Sequence, residues 1–305
     1  MLAEITTTPV VRSAEITNLR TPHYRKHLDL KVKSRAEAVR FIDEAGILLL
    51  FPGDNLPLPD LWSAINGMDR KLPKHHHDYA LHRTWEWKDS IPSRKEAWYG
   101  KLIKGKPAFV SLKDLPAIYA LSSNFGELDD YLEAYADGLM SKECKTIYEV
   151  LLAEGPMPTS ALRKATNMAG GGDNARKFER AIAELQTDLK IVKSGISNSN
   201  RWKYCYIYDL LLRWAPNLGE ESRQYNNRLA MRHLILRYLQ TSVAAPAYIF
   251  TRLFGWEASL VERVLKEMLE DGTLQEVRVL GGPGPTARSK PGPEGEVWVT
   301  ARSFL

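Results

Sequence analysis

Apolar residues recur at helical spacing twice in this chain, 87 residues apart. Cys144, Ile147, Tyr148, Leu151 and Leu152 mark one stripe, and Met231, Leu234, Ile235, Tyr238 and Leu239 repeat it. The i, i+3, i+4, i+7, i+8 pattern puts each set on one buried helix face, and Ser141 stands where an N-cap belongs. A short second helix is expected around Leu162 and again around Ile249. A third carries Phe178, Ile182 and Leu185 in one copy and Val261, Leu265 and Met268 in the other. The offset there falls to 83, because the first copy holds the extra turn Ala169-Gly170-Gly171-Gly172-Asp173-Asn174. Each third helix leads into an expected strand pair, Leu189–Ile196 with Arg201–Tyr208 and Leu274–Leu280 with Glu296–Ala301. Helix, helix, helix, hairpin is the order of a winged helix, and a duplicated one points to nucleic acid. The expected fold class is therefore mainly α with small β-hairpin wings, an α+β chain of tandem winged-helix modules.

Upstream of the repeat the pattern is weaker. Residues 1–33 have little periodicity and are expected to form an extended arm or to pack irregularly against the body. Ser34-Arg35-Ala36-Glu37 is a capping box, opening a helix with Val39, Ile42 and Ala45 that stops at Gly46. Ile47-Leu48-Leu49-Leu50-Phe51-Pro52-Gly53 reads as a short buried strand or turn. A second helix is expected over 57–68, anchored by Leu61, Trp62 and Ile65, and no boundary stands out over 70–116. Residues 34–125 form a first domain, with a degenerate third copy of the module as one form it can take. The second module then occupies 126–216, beginning with an acidic connector, Asn124–Gly138, that can hold a short helix. The third occupies 217–305, and the Gly/Pro content of its wing, 281–293, predicts a long loop.

Charge sharpens this picture. The net charge of +5 is modest, but residues 70–106 hold ten Lys/Arg against four Asp/Glu, and residues 126–154 hold eight Asp/Glu against two Lys. A basic face beside an acidic segment suits a polyanion engaged from one side. No run of 18 apolar residues predicts a membrane span. The N-terminal residues lack the apolar core of a secretory signal. Two cysteines, Cys144 and Cys205, both at core positions, fit a reducing cytosol.

If Phe178, Ile182 and Leu185 face inward, Arg176, Lys177 and Arg180 project from the first turns of the same helix. Asn174 sits at its N-terminus, where free backbone N–H groups favour phosphate. Arg201 and Lys203 lie at the wing base around Trp202, with Tyr204, Tyr206 and Tyr208 on one face of the strand. The third module's helix sets Arg263 and Lys266 among Glu257, Glu262, Glu267, Glu270 and Asp271, which makes it a packing or dimerising copy; its wing residues Arg288 and Lys290 can still reach DNA. His75-His76-His77 with Asp78 and His82 lacks the second ligand cluster a metal site needs, so no metal and no cofactor are expected. The common nucleotide, hydrolase and zincin signatures are missing from the sequence.

Several stretches together resemble the AlkZ (YcaQ-like) DNA glycosylases, a family built from tandem winged helices. They are Gly155-Pro156-Met157-Pro158-Thr159, Leu185–Val192, Arg201-Trp202-Lys203-Tyr204 leading to Tyr208-Asp209-Leu210, and Met268–Leu274. Trp85–Pro92 is a looser match in the first domain. The resemblance covers roughly residues 34–300. It implies excision of damaged or crosslinked bases by N-glycosidic hydrolysis without a metal, with a Gln-x-Gln pair after the first domain's opening helix positioning the attacking water. Here that stretch reads Ile47-Leu48-Leu49-Leu50-Phe51, which can neither orient water nor stabilise an oxocarbenium ion. Asp54, Asn55 and Glu86 are the nearby polar candidates for those roles, although Asp54-Asn55 also reads as a plain turn and Glu86 as an ion-pair partner of Lys88.

The leading expectation is a cytoplasmic, nucleoid-associated tandem winged-helix protein that binds double-stranded DNA, damaged or distorted, in DNA repair. The alternatives are an active glycosylase with substituted catalytic residues and a winged-helix transcriptional regulator. The first domain discriminates between them: a repair protein should carry a basic cleft where that domain meets the second module, and a regulator should carry a symmetric dimer surface. Oligomeric state is not encoded in these patterns.

Overall fold

A computed structural model describes residues 8–53, 56–74, 77–199, 204–281 and 295–302. The order helix, helix, helix, hairpin occurs in it three times. In the first module α2 (Arg35–Ala45) leads through β2 (Ile47–Leu49) to α3 (Leu61–Asn66), α4 (Tyr79–Ser93) and the hairpin β3 (Trp98–Ile103) and β4 (Lys106–Val110). In the second, α7 (Lys142–Glu154) and β5 (Met157–Pro158) lead to α8 (Thr159–Ala165), α9 (Asp173–Thr187), β6 (Ile191–Ser197) and β7 (Cys205–Leu210). In the third, α12 (Asn227–Ser242) and β8 (Ala244–Ala245) lead to α13 (Tyr248–Phe254), α14 (Ala258–Glu270), β9 (Leu274–Leu280) and β10 (Glu296–Ala301). In each sheet the first, short strand pairs antiparallel with the second strand of the hairpin, giving the orders β2-β4-β3, β5-β7-β6 and β8-β10-β9. The chain is α+β, with small antiparallel sheets carried on helices.

The helices begin where capping chemistry puts them. The Glu37 backbone N–H donates to Ser34 Oγ at 3.2 Å, and the Glu37 carboxylate accepts from the Lys33 N–H at 2.8 Å. Ser141 Oγ accepts from the Cys144 N–H in the same manner. The apolar stripes read from the sequence are interior: Cys144, Ile147, Tyr148 and Leu151 are buried with Phe178, Ile182 and Leu185 in one core, while Leu152 is half-buried at its edge. Ile182→Ala and Leu265→Ala, at equivalent inward positions of α9 and α14, should each lower stability by about 2–5 kcal/mol through lost burial and a cavity. Unchanged urea midpoints in both variants would refute this register.

The first and third modules share an interior. Ile47 and Leu49 of β2 belong to the same apolar cluster as Met231, Leu234 and Ile235 of α12 and Val261, Leu265 and Met268 of α14. Between the modules run α5 (Leu115–Ala120) and α6 (Asp130–Ala136), then α10 (Leu211–Trp214) and α11 (Leu218–Ser222).

Three expectations need correction. Residues 1–33 are not merely an arm: β1 (Val10–Arg12) adds in parallel to β9, and α1 (Ser13–His23) packs Ile16 against Val277 and Trp298. The arm is pinned by Arg20, whose guanidinium donates to the Ser242 and Ala244 carbonyls, and by Tyr24, whose hydroxyl reaches Pro57 O and Ser242 Oγ, each at 2.9 Å. The strand expected from Leu189 begins at Ile191, because Leu189 turns the chain with φ of 55° after α9; its partner runs on to Leu210. The segment without clear boundaries contains the 15-residue helix α4, capped by Asp78 through the Leu81 N–H.

Candidate nucleic-acid interface

α9 divides cleanly into two faces. Phe178, Ala181, Ile182 and Leu185 are buried, while Asn174, Arg176, Lys177 and Arg180 are exposed on its first turns. Asn174 is the helix's second residue, after Gly172 as N-cap and Asp173. Asp173 pairs with Lys177 at 3.0 Å, partly neutralising that lysine, whereas among the described residues Arg176 and Arg180 carry no such pair. On α14, Arg263 and Lys266 are also exposed, but Lys266 lies 3.8 Å from Glu270 amid further carboxylates. Arg201, Lys203, Arg288 and Lys290 lie outside the described residues, as do Asp54 and Asn55.

The C-terminal half of α9 meets β3 of the first module. Gly100 makes the approach possible: a Cβ there would come within 2.5 Å of the Trp98 ring and 3.3 Å of Gln186 Oε1. Beside this contact, α4 lies on β6, and the seam between the two modules is built from cations and tyrosines. Lys88, only 1% exposed, donates to the Tyr204 and Tyr206 hydroxyls, each at 2.6 Å, and pairs with Asp89 at 2.7 Å. Lys193 of β6 is buried with its Nζ 4.0 Å from the Tyr206 ring centroid and 4.9 Å from that of Tyr99. Loss of hydration, reinforced by the charges of Lys88 and Lys101, pulls the Lys193 amine down to about 7. Burial pushes the Tyr99 phenol up. Tyr208 of β7 enters the module's own core, while Tyr206 of β7 and Tyr204 just before the strand turn to Lys88.

Sequence reasoning marked Tyr204 and Tyr206 but missed Lys88 and Lys193. The available signal was the row of tyrosines, an aromatic strand face that needs a covering element. Glu86 lies on the exposed face of α4 and, among the described residues, forms no ion pair, and Lys88 turns inward to Asp89 rather than to Glu86. Asp78 caps α4 and pairs with Arg70 at 2.5 Å; His75 and His76 lie outside the described residues.

β2 occupies the position where the family resemblance implies the catalytic glutamines. Ile47, Leu48 and Leu49 are all buried. Ile47 borders a cavity of about 230 Å³ where the three modules converge, walled by Leu189, Leu234, Leu253 and the stacked Phe254–Trp256 pair. The polar side chains lining it are Ser122 and Thr187, and both hydroxyls donate to backbone carbonyls, of Tyr119 and of Lys101 and Ala183.

The model of the AlkZ-related family matches residues 32–255, and the chain belongs to that family. No curated protein and no solved structure matches it significantly. The matched span runs from the start of the first module to the end of α13, so it includes the seam, β2 and the basic face of α9. Among the described residues, no helix is long and apolar enough to cross a membrane.

Proposed function

We propose that this protein is a tandem winged-helix DNA-binding protein that engages damaged or distorted duplex DNA without Gln-dependent base excision. The observation that carries this reading is the lysine-lined seam between the first two modules, adjoining the exposed arginines of α9. Lys88 and Lys193 are buried side by side, with Asp89 in ion-pair contact with Lys88. A polyanion laid along the seam complements the Lys88 cation and the exposed arginines beside it. The α9 group that acts electrostatically on Lys193 is Glu179, and Arg176 and Arg180 flank it on the helix. A basic cleft running from the seam to the exposed face of α9 is what this reading requires of a repair protein. All three modules have the element order and strand pairing of a winged helix, in which the third helix enters the major groove. In the third module that helix is acidic, and its apolar face is spent on the core shared with the first.

Binding should be driven by counterion release. Neutralising about five phosphates gives a slope of log K against log[salt] near −4 to −5. Arg176→Ala and Arg180→Ala should each reduce the slope by about 1, whereas Arg263→Ala and Lys266→Ala leave it unchanged. Lys177→Ala should have a smaller effect, because Asp173 already shares its charge. Fluorescence anisotropy across a salt series, on intact and abasic duplexes, checks this. Affinity indifferent to salt, or greater damage from the α14 variants, would sink the assignment.

A further inference from the structure

We propose that Lys193 is a nucleophilic amine that forms a Schiff base with the ring-opened C1′ aldehyde of an abasic site in DNA. The choice of DNA as the aldehyde's carrier rests on the DNA-binding function proposed above; the assignment of the nucleophile rests on the seam alone.

Two buried amines share one aromatic wall. Lys193 Nζ is 4.0 Å and Lys88 Nζ 4.7 Å from the Tyr206 ring centroid. Their surroundings divide the work between them. Lys88 has an acceptor for each of three N–H donors, in Tyr204, Tyr206 and Asp89, and so is fully engaged. Asp89 is spent on that contact and on the Tyr204 hydroxyl, which donates to it at 3.0 Å. Glu179, the other carboxylate acting on Lys193, is engaged by Arg163. Among the described residues no carboxylate lies within ion-pair distance of Lys193. Charging it would place a second cation beside Lys88 in a shielded seam, with Lys101 adding to the repulsion. The amine therefore keeps its lone pair near neutral pH, which an ordinary surface lysine does not. Desolvation beside a second cation is the arrangement that turns lysine into a Schiff-base former. Access separates the two amines as well: Lys193 retains 8% of its surface and Lys88 only 1%.

The step balances without a co-reactant. The Nζ lone pair adds to C1′, one proton passes from nitrogen to the former carbonyl oxygen to give the carbinolamine, and the second N–H proton goes to that oxygen as it leaves as water, which gives the imine. Borohydride then delivers hydride to the imine carbon and locks the adduct as a secondary amine.

The test uses the full-length chain and two duplexes, one with a natural abasic site and one with its tetrahydrofuran analogue, which keeps the shape but has no aldehyde. With borohydride present, a denaturation-stable adduct should form on the natural site only, and peptide mass mapping of the wild-type protein should place the sugar remnant on Lys193. Lys193→Met, which keeps an uncharged side chain of similar length but no nucleophile, should lower adduct yield by about tenfold or more when each protein is compared at a concentration that saturates the tetrahydrofuran duplex. Binding of both duplexes without an adduct, or an adduct mapped to another lysine such as Lys101, overturns the inference and leaves the DNA-binding function standing. Failure to bind either duplex overturns both.

Discussion

Incubated with alkylated or crosslinked duplex under single-turnover conditions, this protein should release no free N7-alkylguanine and unhook no crosslink above the uncatalysed rate. The residues at the position where the resemblance implies a water-positioning glutamine pair are Ile47, Leu48 and Leu49, all buried and paired through β2 to β4. The cavity beside Ile47 contributes only the hydroxyls of Ser122 and Thr187, both committed to backbone carbonyls. Among the described residues lining it, no carboxylate or amide side chain is placed to activate a water or to face a developing positive charge on the sugar. A single preorganised contact of this kind is worth about 10²–10³ in rate, so loss of the pair should forfeit several orders of magnitude. Glu86 is exposed on α4 and distant in kind from the enclosed carboxylate such chemistry needs. Robust excision that is abolished by Glu86→Ala or Asp54→Ala but survives chelators would overturn this expectation and establish an active glycosylase with substituted residues.

The parts of the fold legible in the sequence were those with one-sided burial. α7, α9, α12 and α14 each commit a single apolar stripe to a core, so the period of Ile147, Ile182, Leu234 and Leu265 located them and their register. α4 escaped because its inward positions include Thr84 and Lys88 while Trp85 stays partly exposed, which blurs the helical period. The N-terminal strand and helix escaped for a different reason. α1 buries only Ile16 and is held by hydrogen bonds from Arg20 to carbonyls more than 200 residues away. The basic face of α9 followed directly from its register. The seam did not, since Lys88 and Lys193 each look like a solvated lysine until α4 is laid on β6. Long-range polar pairing leaves no periodic trace, and Asp114 is the strongest case.

Arg237→Ala should lower stability at neutral pH by about 3–5 kcal/mol, the penalty for stranding one member of a buried ion pair. Asp114, at the start of α5, is 1% exposed and receives Arg237 Nε at 2.9 Å, Arg237 Nη2 at 3.1 Å and His233 Nε2 at 2.7 Å, both partners being carried by α12. Arg237 also donates to the Asp43 carbonyl at the end of α2, so one guanidinium ties the first module to the third. Burial alone would push the Asp114 carboxyl up, but the hydrogen bonds from His233 and Arg237 and the charge of Arg237 outweigh it and hold the group below its ordinary 3.8. The sign follows from linkage. A depressed carboxyl contributes stability that is present above its unfolded value and is lost as pH falls through the folded one. In Arg237→Ala burial acts with less opposition, so protonation relieves the variant while it weakens the wild type. The stability gap should therefore be widest near neutral pH and narrow below about pH 4. Urea unfolding across that range measures it, together with the Asp114→Ala/Arg237→Ala double variant, whose loss should fall short of the sum of the single losses because the two groups share one interaction. Additive losses, or a gap that does not change with pH, would show that Asp114 and Arg237 do not act as a pair.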